Sequence, residues 1–334
     1  MEDDLRSEYN LKSLRVRKLG SGRKSFGETT VRLEPDMDYA EEYQKHLTIL
    51  SLLTREAFEL NIYLSNTFNN RMDNLSNENL VFLSIFSKIA LNANSILSIL
   101  PKDDPRKLYG TENFKVVDLS SVASITRNII EASNTLFYLF AEKVENSERQ
   151  FRFFLFGLHG WLRQKELVEF VGGSNQVEML AHISKQIDIF KAKIEANSFF
   201  INLNEEEIKK TQKGQRSKSV FRKNADKKVE NVKDSMFLTH REIAEIRGFS
   251  PSLFDAIYRF LSNQTHPFLM GTSLVGPSIA LDEKSFLLLL LTIKNAALYL
   301  GLTMIDTTMV FQWAREKLSP ESTEILERMA QGGF

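Results

Sequence analysis

An all-α fold is what this sequence predicts, and three observations predict it. Its strong hydrophobic periodicities are helical, with apolar residues recurring at three- and four-residue spacing among Glu, Lys and Arg. Only 7 prolines interrupt 334 residues, which leaves room for long helices. The chain holds 25 Phe against 2 Trp, a profile that suits helices packed around aromatic cores.

The amino-terminal 1–36 region is charged and punctuated by glycine. Within it, LRVRKLGSGRKSFGETTVRLEP offers at most a short strand, so a flexible arm is expected. Residues 37–334 are expected to form a single all-helical domain. Helical patterns run from Asp38 to Asn69 and from Leu80 to Leu100, the second closed by Pro101. After the connector PKDDPRKLYGTENFK, Asp118 or Ser120 can cap a helix through SSVASITRNIIEASNTLFYLFAEK. Phe151–Val171 follows, ended by Gly172 and Gly173, and then Val177–Phe200. Leu238–Gly248 leads into Phe249–Pro267, Leu281–Ile305 reads as one apolar helix, and Phe311–Ala330 as a short amphipathic end.

Composition sets bounds on function. Lys plus Arg equals Asp plus Glu at 43 each, so overall charge selects neither nucleic acid nor membrane, and any such preference must be local. The absence of cysteine excludes disulfides, thiolate zinc sites and cysteine nucleophiles, and it fits a cytoplasmic location. The acidic start MEDDLRSEYN is unlike a signal peptide. Phe286–Ile305 is long enough to span a bilayer, but Lys294 and Asn295 stand at its centre, where a charge costs roughly 2.5–3.5 kcal/mol. A buried core helix, with Lys294 reaching solvent or a polar pocket, is expected instead of a span.

The chain contains no glycine-rich phosphate loop, no G-x-S-x-G, no H-E-x-x-H and no Rossmann fingerprint. None of the five histidines pairs with another at i, i+4, so neither a metal nor a cofactor is expected. The best candidate for chemistry is the helix in FSPSLFDAIYRFLSNQTHP. Ser250 can cap it, Pro251 suits its first position, and Pro267 should end it at about His266. Arg259, Ser262 and His266 follow at i, i+3 and i+7 on one face, and Phe254, Ile257 and Leu261 form a neighbouring apolar row. An arginine that holds phosphate beside a histidine that titrates near neutrality suits RNA cleavage without a metal. Read as structure, Arg259 would pair with a carboxylate such as Glu131, while Ser262 and His266 brace helix ends.

Arg127 and Glu131 stand four apart on a helix with little polar surface, so a partly buried pair is expected. Lys209, Lys210, Lys213, Arg216, Lys218, Arg222 and Lys223 fall in a basic loop over about 209–233. It reads as a solvated loop or, functionally, as a phosphate-binding patch. Thr239–Asn263 also mimics a DNA-reading helix-turn-helix, but its second helix is rich in Phe, Leu, Ile and Tyr, so sequence-specific DNA binding is not expected.

R-x-x-x-E at Arg127 and Glu131, followed by Y-R-x-L-S-x-x-x-H-P from Tyr258 to Pro267, resembles an uncharacterised, mostly bacterial all-helical family. That family is similar in turn to the HEPN superfamily. The resemblance covers roughly 80–305 and implies a HEPN-like helical bundle with additional amino-terminal helices, often a homodimer. In ribonuclease members an R-x4–6-H motif from each protomer lines one cleft and cuts RNA without metal, commonly in toxin or antiviral defence systems. Those roles fall here on Arg259 and His266, supported by Arg127, Glu131, Tyr258 and Ser262. Phe260 departs from the polar residue usual after that arginine. The functional expectation is a metal-independent endoribonuclease or RNA-binding protein. Its alternative is a non-enzymatic, partner-binding bundle with the same residues as a buried network.

Overall fold

The structure is a computed structural model that describes residues 39–71, 76–102, 118–203, 205, 208, 239–264 and 283–332. The amino-terminal arm, the basic loop from Lys209 to Lys223 and His266 lie outside the described residues. Among the described residues 88% are helical and none is in a strand, so the protein is all-α. The helices are α1 (Tyr39–Arg71), α2 (Asn77–Ile99), α3 (Leu119–Leu136), α4 (Asn146–Val171), α5 (Gln176–Glu195) and α6 (Ser198–Ile201). After them come α7 (His240–Ile246), α8 (Pro251–Gln264), α9 (Glu283–Val310) and α10 (Pro320–Ala330). A π-helical turn continues α3 over Phe137–Ala141, and a 3-10 turn, Gln312–Lys317, precedes α10.

Local chemistry explains where several helices start. Ser76 accepts a hydrogen bond from the Asn79 amide, so α2 opens at Asn77, before the first apolar repeat at Leu80. Asp118, rather than Ser120, caps α3 by accepting from the Ser120 amide at 3.0 Å. The α4 helix begins at Asn146, earlier than the expected Phe151, because the polar residues of its first turns bond inward instead of ending it.

The chain divides into two compact units: Met1–Phe137 with Arg241–Phe334, and Tyr138–His240. In the first, α9 packs against α1, α2, α3 and α10, and Leu289, Ile293, Ala296, Ala297, Leu300 and Met304 are wholly buried along it. Removing such side chains from water stabilises by about 1.5–3 kcal/mol each for the larger ones. Both Asn77–Ile99 and Phe286–Val310 are long and apolar enough to cross a membrane by length and composition. In the second of these 72% of the apolar stretch is buried by protein, as a core helix requires, against 39% in the first. The aromatic residues close the end of this core: Phe311 meets Phe82 and Phe68 edge-on at 4.9 and 5.2 Å between ring centres, and Trp313 meets Tyr63 at 5.5 Å.

One buried ion pair fixes the helices that carry the candidate site. Arg247, fully buried at the end of α7, donates to Asp306 on α9 at 2.8 Å and to Ser133 and Asn134 on α3 at 3.0 Å each. Its guanidinium also lies over the rings of Phe137 and Tyr299. Thr303 Oγ1 lies 2.7 Å from both Ser133 Oγ and the Tyr299 carbonyl, donating to one while it can accept from the serine hydroxyl, so the polar groups around the pair are tied to one another. Immediately afterwards Gly248 takes φ 95°, which side-chain-bearing residues rarely adopt. The Phe249 amide bonds Ala244 O and the Gly248 amide bonds Glu245 O, a Schellman turn that ends α7.

In the second unit, α4 and α5 form an antiparallel hairpin joined at residues 172–175, and Gly157 admits the Phe190 ring where a Cβ would lie 2.4 Å from it. Arg152, also fully buried, donates to Glu142 at 2.7 Å, to Glu148 at 3.0 Å and to the Tyr138 carbonyl at 2.9 Å. Arg149 donates to the Phe140 carbonyl, so two arginines satisfy carbonyls of the π-helical turn.

Lys294 is half-buried, and burial holds its ammonium below the ordinary lysine range against the attraction of Glu42. Beside it His46 is buried on α1 with Nε2 3.2 Å from Glu42. Burial first, then the charge of Lys294, lower His46 to about 4 against the opposing pull of Glu42.

Two outcomes are expected. Asp306→Ala strands the Arg247 charge and should cost about 3–5 kcal/mol in denaturant unfolding; a loss under ~1 kcal/mol would show the pair to be dispensable. Neutral His46 contributes stability that is complete above 6.5, the ordinary histidine value, and is lost as pH falls toward about 4. Unfolding curves between those limits should therefore fall more steeply for wild type than for His46→Gln.

Candidate functional site

The α8 helix turns its apolar row inward: Phe254, Leu261 and Gln264 are buried, Ile257 is half-buried, and Ser252, Ala256 and Arg259 are exposed. It runs antiparallel to α3. Arg247, preceding it, meets Ser133 and Asn134, whereas Tyr258, further along, meets Glu131 and Arg127. Arg241 reaches Asp255 at 3.2 Å, an additional tie between α7 and α8.

Tyr258 stacks on Phe254 with ring centres 5.3 Å apart and sends its hydroxyl across to α3. That hydroxyl donates to Glu131 Oε1, which also accepts from Arg127 Nε at 2.9 Å. Arg127 Nε reaches the Tyr258 oxygen at 3.3 Å, and its guanidinium carbon lies 5.1 Å from the ring centre. The i, i+4 pair expected from the sequence thus forms, and Tyr258 completes it. Arg127 and Glu131 remain 30% and 32% exposed, so the cluster sits at the rim of the α3–α8 seam.

Electrostatics settle what these groups can do. Burial, reinforced by the bond to Glu131, pushes the Tyr258 phenol up to about 12, which keeps it a neutral donor at physiological pH. Arg127 is held above its ordinary value by its bonds to Tyr258 and Glu131, which outweigh the penalty of partial burial. Glu131 Oε1 accepts from both Arg127 and Tyr258. Among the described residues the terminal amino groups of Arg127 make no hydrogen bond, and neither does Arg259.

Of the residues singled out from the sequence, the structure brings together Arg127, Glu131 and Tyr258. Ser262 donates to the Tyr258 carbonyl at 2.7 Å, bracing its own helix one turn back. Arg259 does not take Glu131 as its partner: the tyrosine and Arg127 occupy that carboxylate, and Arg259 points to solvent. His266 and the basic residues from Lys209 to Lys223 lie outside the described residues. Sequence reasoning missed Arg247 and Asp306, whose signal was a lone aspartate within a membrane-grade apolar run. It also missed Arg152, Glu142 and Glu148.

No protein-family model, curated protein or solved structure matches the chain. The functional reading accordingly rests on the site's own geometry.

Tyr258 should titrate late. Absorbance at 295 nm, taken as wild type minus Tyr258→Phe, should show a phenolate midpoint near 12 rather than the ordinary 10. The stability its neutral form contributes is complete below pH 10 and lost as pH rises through about 12. Tyr258→Phe should cost about 1–2 kcal/mol at neutral pH; no cost, with a midpoint near the ordinary value, would mean the triad does not hold in solution.

Proposed function

We propose that the α3–α8 seam binds RNA phosphate and that the protein is a metal-independent, HEPN-like endoribonuclease, toxin-like in a stress or defence setting and acting in the cytoplasm. The observation that carries this reading is a pair of guanidiniums, Arg127 on α3 and Arg259 on α8, with N–H donors that make no hydrogen bond among the described residues. Arg127 is held through Nε by Glu131 and Tyr258, its terminal amino groups make no hydrogen bond among the described residues, and Arg259, next to Tyr258 in the chain, is exposed. Guanidinium forks match phosphate oxygens geometrically and stay charged at any working pH.

In this reading Arg259 holds the scissile phosphate and stabilises charge on its oxygens as they become more negative. His266, two helical turns along the same row in sequence, supplies acid–base chemistry. A neutral imidazole takes the proton of the 2′-hydroxyl, whose oxygen bonds to phosphorus while the bond to the 5′-oxygen breaks. The departing oxygen is protonated by an imidazolium, which leaves a 2′,3′-cyclic phosphate and a free 5′-hydroxyl. The basic residues Lys209 to Lys223 add salt-dependent affinity for the RNA backbone. Tyr258 and Ser262 position α8 and do not touch the reacting atoms.

A second reading has an observation of its own. Glu131 Oε1 takes bonds from both Arg127 and Tyr258, as in a seam built to hold α8 against α3. The protein is then a non-enzymatic helical module for a partner.

Incubating full-length protein with RNA in EDTA separates the two. Wild type should produce cyclic-phosphate ends, and Arg259→Ala and His266→Ala should each lose at least ~100-fold of the rate with unchanged melting temperature. Absence of cleavage and of RNA retention on filters by wild type, with a lowered melting temperature for His266→Ala, would overturn the nuclease and favour the module.

A further inference from the structure

The outer face of α8 carries side chains that the cleavage roles leave unused. At about 100° per residue around a helix, Asn263 stands about 40° and Phe260 about 100° from Arg259, on the flank away from Tyr258 and the α3 seam. Ala256 falls between Arg259 and Phe260, one turn back. Arg259 and Ala256 are exposed, and Phe260 and Asn263 are half-exposed. Among the described residues the Phe260 ring meets no other ring, and the Asn263 amide makes no hydrogen bond. Less than a third of the helix circumference thus offers a cation, an amide and a flat apolar ring. The short side chain of Ala256 leaves a notch between the guanidinium and the ring. A phosphate, a base edge and a base face are what three such groups recognise.

We propose that this face of α8 is a subsite for an unpaired adenosine of RNA, adjoining the phosphate that Arg259 holds. The inference rests on the reading of Arg259 as a phosphate ligand. Phe260 stacks on the base. Every base has a face to stack, and only an unpaired base can present it, so the ring selects single strands without selecting a sequence. Asn263 supplies the selection. Its amide sets a donor beside an acceptor, which matches N7 and the N6 amino group of adenine together. Guanine has two acceptors on that edge and would face the amide oxygen with one of them; cytosine and uracil offer a single function there. A free nucleoside triphosphate is disfavoured, because one guanidinium and no glycine-rich loop leave most of its phosphate oxygens unmatched. In a strand, the neighbouring phosphates have the rest of the seam to meet.

RNA with 2′-O-methyl groups lacks the attacking hydroxyl, so binding can be read without cleavage. Full-length wild type should retain 2′-O-methyl oligoadenylate on filters at least ~10-fold more tightly than oligouridylate. Phe260→Leu should weaken retention of both roughly 10-fold with melting unchanged, and Asn263→Leu should bring the two sequences within about 2-fold of each other. In Phe260→Trp, emission added to that of the two native tryptophans should be quenched by oligoadenylate and not by tripolyphosphate, a signature that a merely bracing side chain would not give. If wild type retains RNA and both leucine variants behave like it, the subsite is overturned and the phosphate-binding seam stands. If wild type retains no RNA, that seam reading fails and the subsite falls with it. Quenching by free AMP at the concentration at which oligoadenylate quenches would assign the notch to a mononucleotide and overturn RNA as its ligand.

Discussion

Arg247 carries a guanidinium to a place without water, and the first unit is arranged around answering that charge. An isolated charge there would cost several kcal/mol, so Asp306, Ser133 and Asn134 must arrive together from two other helices. Hydrophobic burial could be met by many arrangements of these helices. The fork of donors on Arg247 is met by one, since Asp306 and the Ser133–Asn134 pair have to flank it simultaneously. The aromatic faces of Phe137 and Tyr299 close the remaining sides.

From that anchor the candidate site follows mechanically. The Gly248 turn redirects the chain directly after Arg247, and Phe249 stacks nearly parallel on Tyr299 with 5.2 Å between ring centres. The start of α8 is therefore fixed against the carboxyl end of α3. Running antiparallel from there, α8 brings Tyr258 level with Arg127 and Glu131. The triad is a second, weaker clasp on the same seam. It is partly exposed, so each of its bonds is worth less than those at Arg247, but exposure is also what leaves arginine donors accessible to a ligand.

The second unit repeats the logic with a different partner set. Arg152 is as buried as Arg247, and it is offset by two carboxylates and by a carbonyl of the π-helical turn. The arginine-rich start of α4 is thereby consumed by the interior, whereas its far end is spent on water, with Phe170 and Val171 uncovered.

By itself the sequence determined the helical class, most helix positions, and the pairing of Arg127 with Glu131, because each is written in spacing along one helix. Caps such as Asp118 and the opening proline of α8 were readable for the same reason. It did not determine what Arg247 does, since its position before Gly248 looks like an ordinary basic helix end, and its partner lies 59 residues away. Nor could spacing decide between Arg259 and Tyr258 as the neighbour of Glu131. Adjacent residues on a helix differ by about 100° in direction, so the packing of α8 on α3 decided which faced inward. Tertiary structure made that choice: it stacked the half-buried tyrosine ring on Phe254, gave its hydroxyl to Glu131, and left the arginine in solvent.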